Sequence, residues 1–288
     1  MRLGITGASG FIGRRAAEMA RARGWEVVPF SRTPRDATTR KFVPAEPADV
    51  DGLDAVLHLA GESVLGLWTA KKRARIMDSR VLGTRSIVEG FARAVRPPRV
   101  LVCGSAIGYY GDTGDREVDE SSPPGAGFLA DVCRAWEAEA EKVRNARVVL
   151  LRIGFVLGRE DGAMKLVLPL FRAGLGGRLG SGKQWMSCIH VDDVAGMAMW
   201  AVENEIIRGA LNAVMPRPVT NTDFTRALAR AVHRPAIFPV PSFVLRLVLG
   251  RMASMLLSSA RVRPAVAEKS GYRYEFKDIA AALDRIVR

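Results

Sequence analysis

The chain is poor in cysteine. Its 288 residues include three, Cys103, Cys133 and Cys188, far apart and without a C-x-x-C pair. An odd, sparse set excludes a disulfide framework and a zinc ribbon. It fits a reducing compartment, so a cytoplasmic setting and no metal site are expected. Long apolar runs are also missing. The most apolar stretch, Phe243 to Leu257, is too short to span a bilayer and carries Arg246 and Arg251. It is expected to be a packed helix, in the core or at a subunit interface, which leaves a homodimer open. A helix lying on a membrane surface is the alternative. The chain opens directly on a strand-like segment, so no signal peptide is expected. There is no internal repeat and no low-complexity tract.

Runs of five or more like charges are absent, as are basic patches interleaved with aromatics. A nucleic-acid partner is therefore not expected, although the formal charge is +13. The excess lies late: residues 217–288 hold 13 Lys and Arg against 5 Asp and Glu. An Arg-rich proteome plus a basic lip around an anionic ligand is the expected account. Hydrophobic residues at 48% and charged residues at 25% are ordinary for a soluble globular chain.

What is present is strand–helix alternation. Apolar runs at Leu3–Thr6, Glu26–Phe30, Ala55–Leu59, Val100–Gly104, Val148–Ile153 and Ala210–Val214 read as strands. Helical patterns near 14–23, 69–95, 128–145, 163–173, 191–203 and 221–232 lie between or after them. This order predicts an α/β fold with a parallel sheet covered on both faces. Residues 1–235 are expected to form the sheet-bearing domain, with insertions covering the crevice from about 160. The proline-punctuated stretch Pro235 to Pro241 opens a small, mostly helical C-terminal domain, 236–288. It is expected to end in a strand-like Tyr272–Phe276 and a helix, Asp278–Val287.

The opening strand runs into Gly7-x-x-Gly10-x-x-Gly13, followed by an Ala-rich helical segment. Strand, glycine turn and helix together build a phosphate-binding junction of the doubly wound Rossmann type. Gly7 permits the tight turn, Gly10 admits a pyrophosphate, and Gly13 lets helix pack on strand. Ser9, Phe11 and Ile12 complete the turn, whose free N–H groups would face the anion. The second strand ends in Ser31-Arg32, where an NAD site carries an acidic residue for the ribose hydroxyls. A guanidinium suits an added phosphate instead, so NADP(H) is the expected cofactor. The small residues of Leu59-Ala60-Gly61 let the backbone approach it. His58 is expected to be structural. Glu62, a carboxylate in a crevice built for an anion, is a candidate for contact with substrate or ribose. Arg80 and Arg152 need partners if buried, and Arg80 is assigned to the cofactor.

These residues resemble the extended branch of the short-chain dehydrogenase/reductase superfamily. The carriers are Thr6 to Gly13, His58 to Gly61, Ser105 to Gly111, Arg152 to Gly158 and His190 to Val194. More narrowly the chain is similar to an atypical epimerase-like subfamily of the NAD-dependent epimerase/dehydratase proteins, some of which are described as cell-division inhibitors. Gly61-Glu62-Ser63, Trp68, Ser79-Arg80-Val81, Phe128 to Glu137, Trp185 to His190 and the basic C-terminal segment carry that likeness. The resemblance implies an oxidoreductase or epimerase acting on a small molecule.

Family enzymes move a proton with a Tyr-x-x-x-Lys pair on the helix after the fifth strand. Matching that helix through Trp136-Glu137 puts Leu129 and Cys133 at those positions. Neither can do the work. The expected Ser/Thr falls on Ala106, with Ser105 one residue early. Ser105, Tyr109 or Tyr110, Glu62, Lys183 and Cys133 remain candidates for an acid or base. The alternative is a protein that binds NADP(H) without turnover, as a regulator or sensor.

Overall fold

The computed structural model describes residues 1–34, 36–44, 46–159 and 161–288. Among the described residues seven strands form one sheet: β1 (Arg2–Thr6), β2 (Glu26–Ser31), β3 (Arg40–Lys41), β4 (Ala55–His58), β5 (Val100–Ala106), β7 (Arg147–Ile153) and β11 (Gly209–Ala213). Their order across the sheet is β11-β7-β5-β4-β1-β2-β3, and every pairing is parallel. The strands read as unbroken apolar runs because both faces are covered. Helices α1 (Phe11–Ala22) and α5 (Val191–Glu203) bury Leu3, Ile5 and Leu151 on one face. Helices α2 (Ala70–Arg93) and α3 (Phe128–Ala140) bury Val56, Leu101 and Cys103 on the other.

Strand order reverses between β1 and β4. That switch point is where ligands of open α/β sheets lie. The two strand ends are fastened there by Thr6, whose Oγ1 accepts from the amides of Leu59 and Ala60, both at 3.1 Å.

Shorter pairs surround the sheet: β6 (Glu117–Val118) with β13 (Arg261–Val262), β8 (Phe155–Leu157) with β10 (Cys188–His190), and β9 (Trp185–Met186) with β12 (Val219–Thr220). Helices α4 (Met164–Arg172), α6 (Asn221–Ala231) and α10 (Ile279–Val287) share a satellite core around Phe224, Leu228 and Leu283. The short α9 (Ala265–Lys269) lies near β11.

Two expectations need correction. The apolar stretch from Phe243 is not one packed helix. It breaks at Gly250 (φ +55°) into α7 (Ser242–Leu249), a 3-10 turn and α8 (Ala253–Leu257). Leu245 and Met252 are buried, while Phe243, Leu247 and Val248 are exposed. Residues Tyr272–Phe276 form no strand. The amides of Glu275 and Phe276 donate to the Asp193 carboxylate at 2.8 and 2.9 Å, so a side chain takes the bonds that a ladder would have used.

Candidate functional site

The glycine turn joins β1 to α1. Gly7 sits at φ +69°, where a side chain is strained, and a Cβ there would press on the backbone of Leu59 and Ala60. A Cβ at Gly13 would lie 2.1 Å from the Gly7 carbonyl oxygen, so helix and turn touch only because that position is bare. At Gly10 a Cβ would meet only that same oxygen, at 3.2 Å. Gly10 and Ser9 face solvent.

No side chain caps α1, and its first turn contains no acidic residue. Helix starts leave free N–H groups and a positive dipole end, which suit an anion. The ring of Phe11 lies over Gly158 and Gly162, and Arg14 pairs with Asp161 at 2.8 Å. These contacts fix the entry of α1, with Ile12 packed on the core.

Ser31 ends β2 with its hydroxyl turned to Thr33, donating to the carbonyl and accepting from the amide, both at 3.1 Å. Arg32 beside it is exposed. Across the switch point, His58 is fully buried and its Nδ1 is 2.7 Å from Thr6 Oγ1. Burial, then the nearby Arg80 charge, push its pKa down to about 3, so the ring is neutral. This is a structural histidine.

Beyond His58 the chain passes Leu59, Ala60 and Gly61. The Arg80 guanidinium lies close under Gly61, and its Nη1 donates to the carbonyls of Glu62 (2.9 Å) and Ile76 (3.2 Å). It also stacks over Trp136, 5.0 Å from the ring centroid. Arg80 has no carboxylate within ion-pair distance among the described residues. Its pKa is lowered, by burial above all. Glu62 accepts from Lys72 Nζ at 2.7 Å, with Arg75 at 3.7 Å. The Lys72 bond holds its carboxyl below the usual range, so Glu62 is a paired anion rather than a ready proton donor.

The end of β5 carries the second half of the site. Ser105 is buried and donates to Glu137 Oε1 at 2.6 Å. Arg152 grips the same carboxylate with two bonds, Nε to Oε1 at 2.9 Å and Nη2 to Oε2 at 2.7 Å. Arg152 Nη1 reaches Tyr110 Oη at 2.9 Å, and that hydroxyl donates to Asn212 Oδ1 at 2.8 Å. Burial first, against the opposing Arg152 charge, pushes the Tyr110 pKa up to about 12. The Arg152 guanidinium also lies 3.5 Å from the ring centroid of Tyr109. Ser105 and Tyr109 therefore meet the same buried ion pair, Ser105 through its hydroxyl and Tyr109 through its ring.

Cys133 is buried one helical turn before Glu137, and burial pushes its thiol up to about 11. Leu129, a further turn back, packs toward Gly108. Lys183 is exposed, in a loop tied to Thr222 and Leu256. No contact among the described residues joins it to Ser105 or Tyr109.

Sequence reasoning missed Glu137 and Asn212 as members of this network. A signal existed for Glu137: it follows Leu129 and Cys133 at intervals of four, on one face of α3. A buried Arg152 needs a partner, and Glu137 is that partner.

The model of the NAD dependent epimerase/dehydratase family matches residues 3–212, and that of a domain of unknown function (DUF1731) matches residues 240–286. The chain is 37% identical over 300 residues to epimerase family protein SDR39U1 of Bos taurus, covering all of both. To epimerase family protein YfhF of Bacillus subtilis it is 32% identical over 298 residues, covering all of this chain and 98% of the relative. The crystal structure of human epimerase family protein SDR39U1 with NADPH superposes with a TM-score of 0.94 at 35% identity, over 99% of each chain. A UDP-N-acetylglucosamine 4-epimerase from Bacillus cereus has a TM-score of 0.80 at 16% identity, over 99% of this chain and 98% of that one, which shows the fold alone. The doubly wound sheet, the glycine turn and matches over the whole length agree: this chain belongs to the NAD dependent epimerase/dehydratase family.

Proposed function

We propose that the protein binds NADP(H) and acts as an oxidoreductase or epimerase-like enzyme on a small molecule. One observation carries the cofactor: the uncapped start of α1, opened by Gly7, Gly10 and Gly13, beside an exposed Arg32 with no acidic residue at the end of β2. The pyrophosphate would lie on the amides of the turn and the added phosphate on Arg32. Arg80, beneath Gly61 and without a carboxylate, supports a further cofactor contact. The likeness to the NADPH-bound human relative supports the same choice.

When bound, such a cofactor supplies or removes a hydride. The accompanying proton must be handled without Tyr-x-x-x-Lys, since Leu129 and Cys133 stand there. In this reading Ser105, Tyr109, Glu62 and Lys183 are the residues to test. The commitment of Ser105 to Glu137, and of Glu62 to Lys72, favours a second reading, a non-catalytic NADP(H)-binding regulator. The three cysteines are free and buried. That supports work in the cytoplasm, and no described helix is long and apolar enough to cross a membrane. A homodimer belongs to the proposal and is checked by sedimentation.

Fluorescence titration with NADPH tests the cofactor, and NADPH oxidation against a metabolite panel tests turnover. Micromolar binding with oxidation by one compound establishes the enzyme. Binding with no oxidation of NADPH, no reduction of NADP+ and no epimerised product from any compound selects the regulator. No uptake of NADPH or NADH rejects both.

A further inference from the structure

The start of α2 carries Lys71, Lys72, Arg73 and Arg75, and its first turn has no acidic residue. Cations at this end oppose the helix dipole, so helix stability does not explain them. Glu62 answers Lys72 and Arg75. Arg73 has no carboxylate within ion-pair distance among the described residues. Its guanidinium carbon lies over the ring of Phe128, 4.5 Å from the centroid, and its Nε is buried with no acceptor. A buried donor without an acceptor is a standing cost unless a ligand meets the group.

The surroundings say what kind of ligand. Phe128 packs edge-on against Trp68, with centroids 5.3 Å apart. Both belong to an apolar cluster with Val132, Leu129 and Met252. This cluster joins four parts of the chain: the loop after β4, α2 through Ile76, the start of α3 and the C-terminal segment. Through Leu129 it reaches Gly108, just past the end of β5. Where family relatives keep a polar proton-transfer pair, this site has leucine and a neutral thiol in oily surroundings. Methionine side chains adapt to apolar ligands of varied shape.

We propose that the substrate is an apolar carboxylate: an acyl or aromatic body against Trp68, Leu129 and Met252, with its carboxylate on the Arg73 guanidinium. A planar guanidinium already seated over a ring offers a fork of donors that suits a carboxylate. This proposal rests on the enzyme reading above, because it names the substrate class of that same crevice.

The test uses cis-parinarate, a fluorescent apolar carboxylate, and its uncharged methyl ester. Each is titrated into the full chain with and without saturating NADPH. The acid should bind at least tenfold tighter than the ester. Arg73→Met, which keeps the apolar stem, should erase that preference, and Arg73→Lys should restore part of it. NADPH affinity and thermal midpoint are measured for each variant, and both should stay near wild type. Equal affinity for acid and ester, an undiminished preference in Arg73→Met, or no probe binding overturns the proposal. A wild-type acid preference lost in Arg73→Met, with no NADPH uptake, would instead keep the carboxylate site and reject the cofactor reading.

Discussion

Ser105 and Glu137 share a hydrogen bond of 2.6 Å, and the carboxylate that accepts it is already held by two nitrogens of Arg152. All three side chains are buried. Breaking such a pair from one side leaves an uncompensated charge, at a cost of about 3–5 kcal/mol. Glu137→Gln should therefore lower unfolding stability in urea by roughly that amount. A loss under about 1 kcal/mol would show that the pair is not structural.

Arg32 offers a test of cofactor choice. A hydrogen bond to a charged group contributes about 1.5–3 kcal/mol, so Arg32→Asp should weaken NADPH by ten- to a hundredfold or more. NADH should be affected far less, because it lacks the added phosphate. Equal losses for both, measured by equilibrium titration, would remove Arg32 from that role.

The glycines of the turn differ in what they permit. A side chain at Gly10 meets one oxygen at 3.2 Å, whereas at Gly13 it would lie 2.1 Å from the Gly7 oxygen. Gly10→Val is expected to fold, with a circular dichroism melt near wild type, and to lose NADPH binding because the valine fills the approach to the amides. Gly13→Val is expected to destabilise the fold itself. Retained NADPH affinity in Gly10→Val would mean that the phosphates do not lie on this turn.

His58 gives a pH signature. Its pKa is pushed from 6.5 down to about 3, chiefly by burial. The folded state disfavours the charged ring, so its contribution is intact above about pH 6.5 and is lost as pH falls toward 3. Between pH 7 and pH 5 the cost is about 2 kcal/mol, at 1.36 kcal/mol per unit. Urea unfolding of His58→Gln should fall less steeply over that interval. Parallel curves for the two proteins would show that this ring does not govern acid sensitivity.

Much of the sheet was legible because parallel strands covered on both faces leave long apolar runs, as at Val100–Ala106 and Arg147–Ile153. The glycine turn was legible because each glycine answers a local steric demand. The C-terminal segment was legible only in part: its helical character and its last helix, Ile279–Val287, were, but its path was not. Apolarity alone does not reveal that Gly250 turns the chain, nor that Asp193 takes the amides of Glu275 and Phe276 across more than 80 positions. The roles of Ser105 and Glu62 were read from their place near the crevice. Their actual partners, Glu137 and Lys72, depend on which helix face packs where, and that is set by the tertiary fold.

Asn212, on edge strand β11, donates through its side-chain amide to the Arg263 carbonyl at 2.8 Å, and Ser187 bonds both Ala260 and Val262. One family match ends at residue 212 and the other begins at residue 240, yet these stitches tie the two stretches together. A chain sewn up in this way is expected to melt in one calorimetric transition. Trimming the tail would cost the whole molecule its cooperativity, because buried polar groups in the body would be left without their companions.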